Sequence, residues 1–425
     1  MRVHEFKRTR NGILYETGHC DQGRILSVGT AFHPRTSELN SKLEWREWAG
    51  YYAASVYSDH LDIEYNAIRE SVALIDVSPL YKYMVSGPDA ERLVDRVITR
   101  DASKIKVGGV IYTCWCDEDG KVIDDGTVAR LDDTAFRWTA ADPSFRWFVL
   151  NARGLDVKIE EVTESVAALA VQGPRSRALL EDATGDSLAT MRYFRRRPAR
   201  IAGVDIDVSR TGYTGDLGYE LWIPAERAVD VWDVLMEAGP AHAARPAGML
   251  ALDVARIEAG LILIEADFFS SRHALNAEQA YSPFEIGLGR LVNFKKQDFV
   301  GRRALSREQQ AGGPARRLIG LEFEWDGIER MYQAQDLPPA IPSSAQRTAV
   351  PIYLGRRQIG RATSWTWSPT LKRAIALGSV DRRSADAGKH LDVEWTVEGR
   401  RGKVPARVVT LPFFDPPRKR AVFEE

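Results

Sequence analysis

The apolar residues of this chain come in short runs, and that feature limits its folds more than any other. Even Gly260-Leu-Ile-Leu-Ile264 falls far below the about 20 residues of a membrane-crossing helix. Short runs alternate instead with stretches whose apolar residues recur three or four apart, the mark of one-faced helices. Leu61–Val72 has that helical pattern, followed by strand-like Ala73–Val77 and Tyr81–Ser86. Pro88–Val97 reads as a helix, with proline at its opening and acids in its first turn. Strands are expected at Val107–Thr113, Lys121–Leu131 and Phe136–Thr139, around the turn Asp117-Glu-Asp-Gly120.

A second, similar pass begins near Val162. Ala167–Val171 reads as a strand and Gly173–Leu180 turns into a helix; strands at Val204–Ser209 and Glu220–Ile223 precede a helix over Ala225–Ala238. Two such passes suggest two α+β units and not one doubly wound sheet. After a Gln-, Ala- and Gly-rich linker at Gln309–Ala315, strands alone are expected: Leu318–Phe323, Gly355–Ser364, Ile375–Val380, His390–Val397 and Val404–Leu411. That end fits a small barrel or sandwich, with Trp325–Thr348 as a loop. The expected domains are an irregular N-terminal extension at 1–55, α+β regions at 56–160 and 161–308, and a β-rich domain at 316–425.

Charge and cysteine content narrow the function. With 58 Lys+Arg against 59 Asp+Glu the net charge is −1, so no global field gathers nucleic acid or anionic lipid. No nucleic-acid or membrane partner is expected. The start, Met1-Arg-Val-His-Glu-Phe6, lacks the apolar core of a signal peptide, and there are only 3 cysteines, so a cytoplasmic location is expected. Cys114-Trp-Cys116 is half of a thiolate metal site with no second half, and reads as two half-buried strand residues. The 7 histidines form no ligand cluster in sequence, so no metal is expected. Phosphate-loop, HExxH and GxSxG motifs are absent, and Gly287-Leu-Gly289-Arg290 lacks the spacing of a dinucleotide fingerprint.

Two stretches carry chemistry. Val122-Ile-Asp-Asp-Gly-Thr-Val-Ala-Arg-Leu131 sets two adjacent carboxylates in a strand pattern, where alternation sends Asp124 and Asp125 to opposite faces. The alternative is a turn with both acids exposed. Arg210-Thr-Gly-Tyr-Thr-Gly-Asp-Leu-Gly-Tyr-Glu220 combines glycines that permit close backbone approach with Tyr213 and Tyr219 as flat surfaces and Asp216 and Glu220 as acceptors. A flat, nitrogen-rich ring fits there; a tight β connection with solvated acids is the alternative.

With these stretches on the page, the chain resembles the glycine-cleavage T-protein superfamily of folate-dependent aminomethyltransferases and demethylases. Further matching segments are Ile75-Asp-Val-Ser78, Ser86-Gly-Pro-Asp-Ala90, Gly120 to Thr127, Ala170-Val-Gln-Gly-Pro174 and Arg256-Ile-Glu-Ala-Gly260. Pro283-Phe-Glu-Ile-Gly-Leu-Gly289, Phe299-Val-Gly-Arg302, Ile359-Gly-Arg-Ala-Thr-Ser364, Ser368-Pro369 and Ile375-Ala-Leu-Gly378 continue the match. The resemblance implies an α+β, three-domain cloverleaf with a central folate channel and a C-terminal β-barrel-like domain. It implies tetrahydrofolate as cofactor, Asp125 as the catalytic aspartate and Glu220 as the pterin-binding glutamate. Tyr112 falls where the family places an aromatic residue lining the pocket. Arg210 and Arg256 are candidates for organising the cavity, Arg256 alternatively as a partner of Glu258. Tyr213, Asp216 (where glutamate is more usual) and Glu285 complete the expected cofactor-binding set.

The resemblance also points to a changed donor end. Leu252 stands where T-proteins carry an arginine, and Trp365 where a glycine is typical; Trp365 and Trp367 share a face of a regular strand. These two tryptophans, Leu252 and His273 are the expected substrate-binding residues, with core packing the alternative for the tryptophans. The favoured reaction is transfer of a methyl group from a small methylated donor (amine, betaine, sulfonium or methoxyaromatic) to N5 of tetrahydrofolate. Asp125 would position the donor or manage the N5 proton, with Tyr112 or His273 as candidate acids. A lipoylated carrier protein is not expected; a separate oxidase or demethylase subunit is a candidate partner. The alternatives are an aminomethyl- or methylene-transfer enzyme forming 5,10-methylene-tetrahydrofolate with a carrier or oxidase partner, and a non-enzymatic folate-binding protein.

Overall fold

Two sheets, a closed barrel and a small N-terminal sheet account for the chain in a computed structural model. The structure describes residues 27–423 together with two short strands, Phe6–Arg8 and Leu14–Glu16. Cys20 therefore lies outside the described residues, as do His4 and His19.

The first sheet ends in the antiparallel pair Val110–Cys116 and Val122–Arg130, followed inward by Ala135–Ala140, Tyr81–Ser86 and Lys158–Glu161. One face is sealed by helix Ala90–Val97, whose Leu93, Val94 and Val97 form a single buried stripe, and by Phe148 of helix Phe145–Asn151. Trp115 and Trp138 meet edge to face in that core. Cys114 and Cys116 are strand residues, but fully enclosed and not half-buried, because each points into packed cores.

The second sheet is centred on Val166–Gln172, which pairs with Gly218–Pro224 on one side and Val72–Asp76 on the other. Its small residues Ala167, Ala168 and Ala170 let layers close on both faces: helices Ser176–Thr184 and Ala228–His242 on one, Leu61–Glu70 and Met249–Glu258 on the other. The strand Val72–Asp76 thus joins the second sheet across the sequence passes, as does Ala244–Pro246, which runs parallel beside it.

The barrel closes in the order Arg316–Phe323, Arg373–Asp381, Arg357–Ser368, Val350–Leu354, His390–Val397 and Arg400–Val409. Closure removes the open edges that six separate strands would present. Two expectations fail here. The segment Trp325–Thr348 is not all loop, since Trp325–Gln333 is a helix that buries Gly327 and Ile328 on the barrel. The N-terminal segment is not irregular throughout: helix His33–Leu39 and the strands Val28–Gly29, Trp45–Trp48 and Tyr51–Ala54 form an ordered layer.

Charged groups lock the barrel to the rest. Helix Met249–Glu258 is buried from Ala251 onward. Its Arg256 donates to the Ser364 hydroxyl oxygen at 2.8 Å, and its Glu258 accepts from the Ser368 hydroxyl at 2.5 Å. Arg69 donates to Glu258 at 2.6 and 2.9 Å, so the buried charges are paired and hydrogen-bonded. Arg256 is therefore no partner of Glu258: it bonds Asp253 and Asp267, because it leaves the helix on the opposite side.

Candidate active site

The acid pair lies on a strand, not in an exposed turn. Gly120, at φ +71°, closes the hairpin before it, and alternation then separates the two carboxylates. Asp124 is 0% exposed and accepts from the backbone N–H of Asp125, Ala141 and Asp142 at 2.8–2.9 Å. It pins its strand to the end of Ala135–Ala140. Asp125 faces the other way and accepts from the Tyr112 hydroxyl at 2.6 Å. Burial, and then the neighbouring charge of Asp125, push Asp124 well above the usual carboxylate range, against its backbone donors. Burial raises Asp125 to about 6, opposed by the Tyr112 hydrogen bond. A carboxylate so placed changes protonation near neutral pH, as a proton-transfer group must. Beside it, a Cβ on Gly126 would stand 2.0 Å from the Thr139 carbonyl oxygen, so only glycine lets these strands close.

In the glycine-rich stretch, Gly212 and Gly218 make room for the Gln172 side chain. Cβ atoms on Gly212 and Gly218 would lie 2.0 and 2.2 Å from the Gln172 amide oxygen. Gln172 donates to the Thr211 and Tyr219 carbonyls and accepts from the Thr214 hydroxyl, fastening the turn. Gln172 belongs to the Val-Gln-Gly-Pro segment that marked the resemblance, but its contacts are invisible in sequence. The acids here are not solvated. Glu220, set by pairing with Ala170, accepts from the Thr211 hydroxyl; burial raises its pKa, opposed by Thr211 and by the charge of Arg137. Arg137 is itself held at 2.6 Å from Asp207 and stacked 4.0 Å over Trp222.

Tyr213 donates to the Ile262 carbonyl and is close enough to Asp125 and Tyr112 for their charges to act on it. Tyr219 is 0% exposed in the second-sheet core and presents no surface. A cavity of about 390 Å³ adjoins Tyr112, walled by Leu261, Ile262, Ile286 and Leu318, with Arg290 and Arg317 also lining it. The apolar walls suit a flat ring and the two arginines an anionic tail, while the carboxylates of Asp125, bonded to the lining residue Tyr112, and of Glu220 are acceptors for ring N–H groups; these are the features of a folate.

The other expected site residues are held by partners of their own. Arg210 donates to the carbonyls of Met191, Arg418, Lys419 and Ala421, clamping the C-terminal segment. Asp216 pairs with Arg418 at 2.6 and 2.8 Å. Glu285 faces Lys121 at 3.6 Å and Arg316 at 3.7 Å, one residue before the cavity wall. Trp365 and Trp367 do share a strand face, but it is the face packed with the barrel core, where Trp365 lies 4.7 Å from Trp395 and Trp367 5.7 Å from Trp325. Leu252 is buried in the cluster that also contains Tyr213 and Trp48. His273 stands 3.6 Å from Glu265 and 3.4 Å from Asp142, whose backbone N–H donates to Asp124. Arg46 and Arg347, which gather around Asp253, were not expected at all. They come from the N-terminal extension and from the connection between the barrel strands Arg316–Phe323 and Val350–Leu354, and no local motif joins them.

Comparison with known proteins gives a consistent result. Residues 32–296 match the family described as the GCVT N-terminal domain, and 339–415 the glycine cleavage T-protein C-terminal barrel domain. An aminomethyltransferase of Caldanaerobacter subterraneus subsp. tengcongensis is 33% identical over 353 residues, 82% of this chain and 87% of that protein. A trimethylamine-oxide aldolase of Ruegeria pomeroyi is 36% identical over 405 residues, 92% of this chain; the chain spans about half of that relative, 47%. The glycine cleavage system aminomethyltransferase T of Bartonella henselae superposes with a TM-score of 0.77 at 22% identity, over 93% of this chain and 99% of that one. The three-domain α+β fold with its C-terminal barrel is therefore shared. The expectation against a lipoylated carrier is overturned, because relatives matched along most of their length are aminomethyltransferases. Among the described residues no helix is long and apolar enough to cross a membrane.

Proposed function

The chain belongs to the glycine cleavage T-protein family, and from that premise we propose that it transfers a one-carbon unit at the oxidation level of formaldehyde to tetrahydrofolate. The aminomethyltransferase relatives favour this over the methyl transfer that the sequence reading preferred. One observation carries it: Asp125, half-buried and raised to about 6, is oriented by Tyr112, which itself lines the neighbouring cavity.

Tetrahydrofolate, when bound, supplies the nucleophilic nitrogen that accepts the carbon. Glu220 would accept hydrogen bonds from the ring N–H groups, a charge-assisted anchor that neutral acceptors do not match. Arg290 and Arg317 would pair with the tail carboxylates. Asp125 would hold the donor nitrogen and exchange a proton with it, and Tyr112 would keep the carboxylate in one orientation. A small methylated amine as the ultimate carbon source is a second reading, favoured by the identity to trimethylamine-oxide aldolase.

Incubation with tetrahydrofolate and an aminomethyl-loaded lipoyl carrier tests the proposal, beside a parallel incubation with a methylated amine and with mass detection of the folate product. We expect 5,10-methylene-tetrahydrofolate, formed about 10²–10⁴-fold more slowly by Asp125→Asn. Formation of 5-methyl-tetrahydrofolate from a methylated donor instead would overturn it.

A further inference from the structure

Along the chain the histidines are scattered, but in space one of them meets two acids. Asp142, Glu265 and His273 come from three separate connecting segments, and one ligand atom of each lies within 4.8 Å of the other two. His273 Nδ1 stands 3.4 Å from Asp142 Oδ2 and 3.6 Å from Glu265 Oε1. Both separations exceed the about 2.7–3.2 Å of an N–H···O hydrogen bond. Two ligands each about 2.1 Å from a tetrahedral zinc ion stand about 3.4 Å apart. The atoms are spaced to surround an ion and not to bond one another.

A second observation comes from Asp142 itself. Its Oδ2 is enclosed, yet among the described residues no donor bonds it. An oxygen of a carboxylate left in that state costs free energy that a bound cation would recover. Arg272, beside His273 in the chain, is engaged elsewhere: it donates to the Pro143 carbonyl at 2.9 Å and lies 5.4 Å over the Trp147 ring. The side chains of His273 and Glu265 are 48% and 65% exposed, so an ion enters from solvent between them and meets Oδ2 as its inner ligand.

We propose that Asp142, Glu265 and His273 bind a divalent transition-metal ion such as zinc, at a site apart from the cavity beside Tyr112, which none of the three lines. One imidazole with two carboxylates suits such an ion, whereas calcium and magnesium prefer oxygen alone. Three protein ligands leave the fourth position to water. The ion would tie together two segments that already hold the hairpin carrying Asp125. The Asp142 N–H donates to Asp124 at 2.9 Å, and the N–H of Ser271, two residues before His273, donates to the Val122 carbonyl at 2.8 Å. The inference rests on these ligands and not on the proposed function.

Isothermal titration of the chelator-treated full chain with zinc chloride tests the site. His19 and Cys20 are adjacent and can take zinc themselves, so a chain carrying His19→Ala and Cys20→Ser serves as the parent. The parent should bind one equivalent, and zinc should raise its Tm. Asp142→Asn, Glu265→Gln and His273→Gln should each weaken binding at least about tenfold. Without metal the three variants should match the parent in circular dichroism, which shows that they are folded; Glu265, exposed and free of hydrogen bonds among the described residues, is the variant that decides. No zinc binding by the parent, or binding unchanged in Glu265→Gln, overturns the site. A loss confined to His273→Gln marks a lone surface histidine and overturns it as well. Displacement of zinc by an equal concentration of calcium chloride would overturn the choice of a transition metal.

Discussion

Removing one hydroxyl tests how the site sets the protonation of Asp125. In Tyr112→Phe the ring remains but the 2.6 Å bond to Asp125 is lost. A hydrogen bond to a charged group contributes about 1.5–3 kcal/mol, and one pKa unit is about 1.4 kcal/mol, so Asp125 should rise by about one to two units. The direction follows from the causes. Burial raises Asp125 to about 6 and Tyr112 is the group opposing it, so its removal leaves burial unopposed. If the carboxylate is the working form, turnover rises with pH through about 6 in the wild type, and through a midpoint about one unit or more higher in the variant. The variant should be roughly tenfold slower near pH 6 and approach the wild type well above its new midpoint. The same shift appears in stability. An acid whose folded pKa is raised from 3.8 binds its proton more tightly when folded, so its contribution falls as pH climbs from about 4 to about 6. In Tyr112→Phe that decline should extend to higher pH. The assay is a pH profile of kcat beside thermal unfolding across the same range. An unmoved or lowered midpoint, or a loss equal at every pH, would refute this account and leave Tyr112 as a wall of the cavity only.

Glu258→Gln should destabilise the fold by about 3–5 kcal/mol, because Arg69 would keep a buried charge with only Asp216 at 3.5 Å as its acid; a Tm within about a degree of the wild type would show that the pairing is not needed. Trp365→Ala should cost roughly 2–4 kcal/mol through lost contacts with Trp395 and Phe323. Donor preference should stay unchanged, and a changed preference would return Trp365 to the donor site.

Local pattern alone determined much of this protein. Strand and helix periods placed Val204–Ser209 and His390–Val397 to the residue, because each needs only alternation and a turn at its ends. Alternation also separated Asp124 from Asp125, since adjacent strand residues must face opposite ways. The acid pair and the glycine-rich stretch were legible for the same reason: their signals lie within a dozen neighbouring residues. What tertiary structure decided was everything that depends on distant partners. Gln172 makes Gly212 and Gly218 necessary, from some forty residues away in the chain. The partners of Trp365 likewise come from afar: barrel closure sets it half-buried, 4.7 Å from Trp395. Arg46 and Arg347 meet around Asp253 only because the N-terminal layer and the barrel dock on one helix. Periodicity is a property of neighbours along the chain, whereas charge pairing is a property of neighbours in space, and so the sharing of Asp253 by Arg256 and Arg347 emerged only from the folded chain.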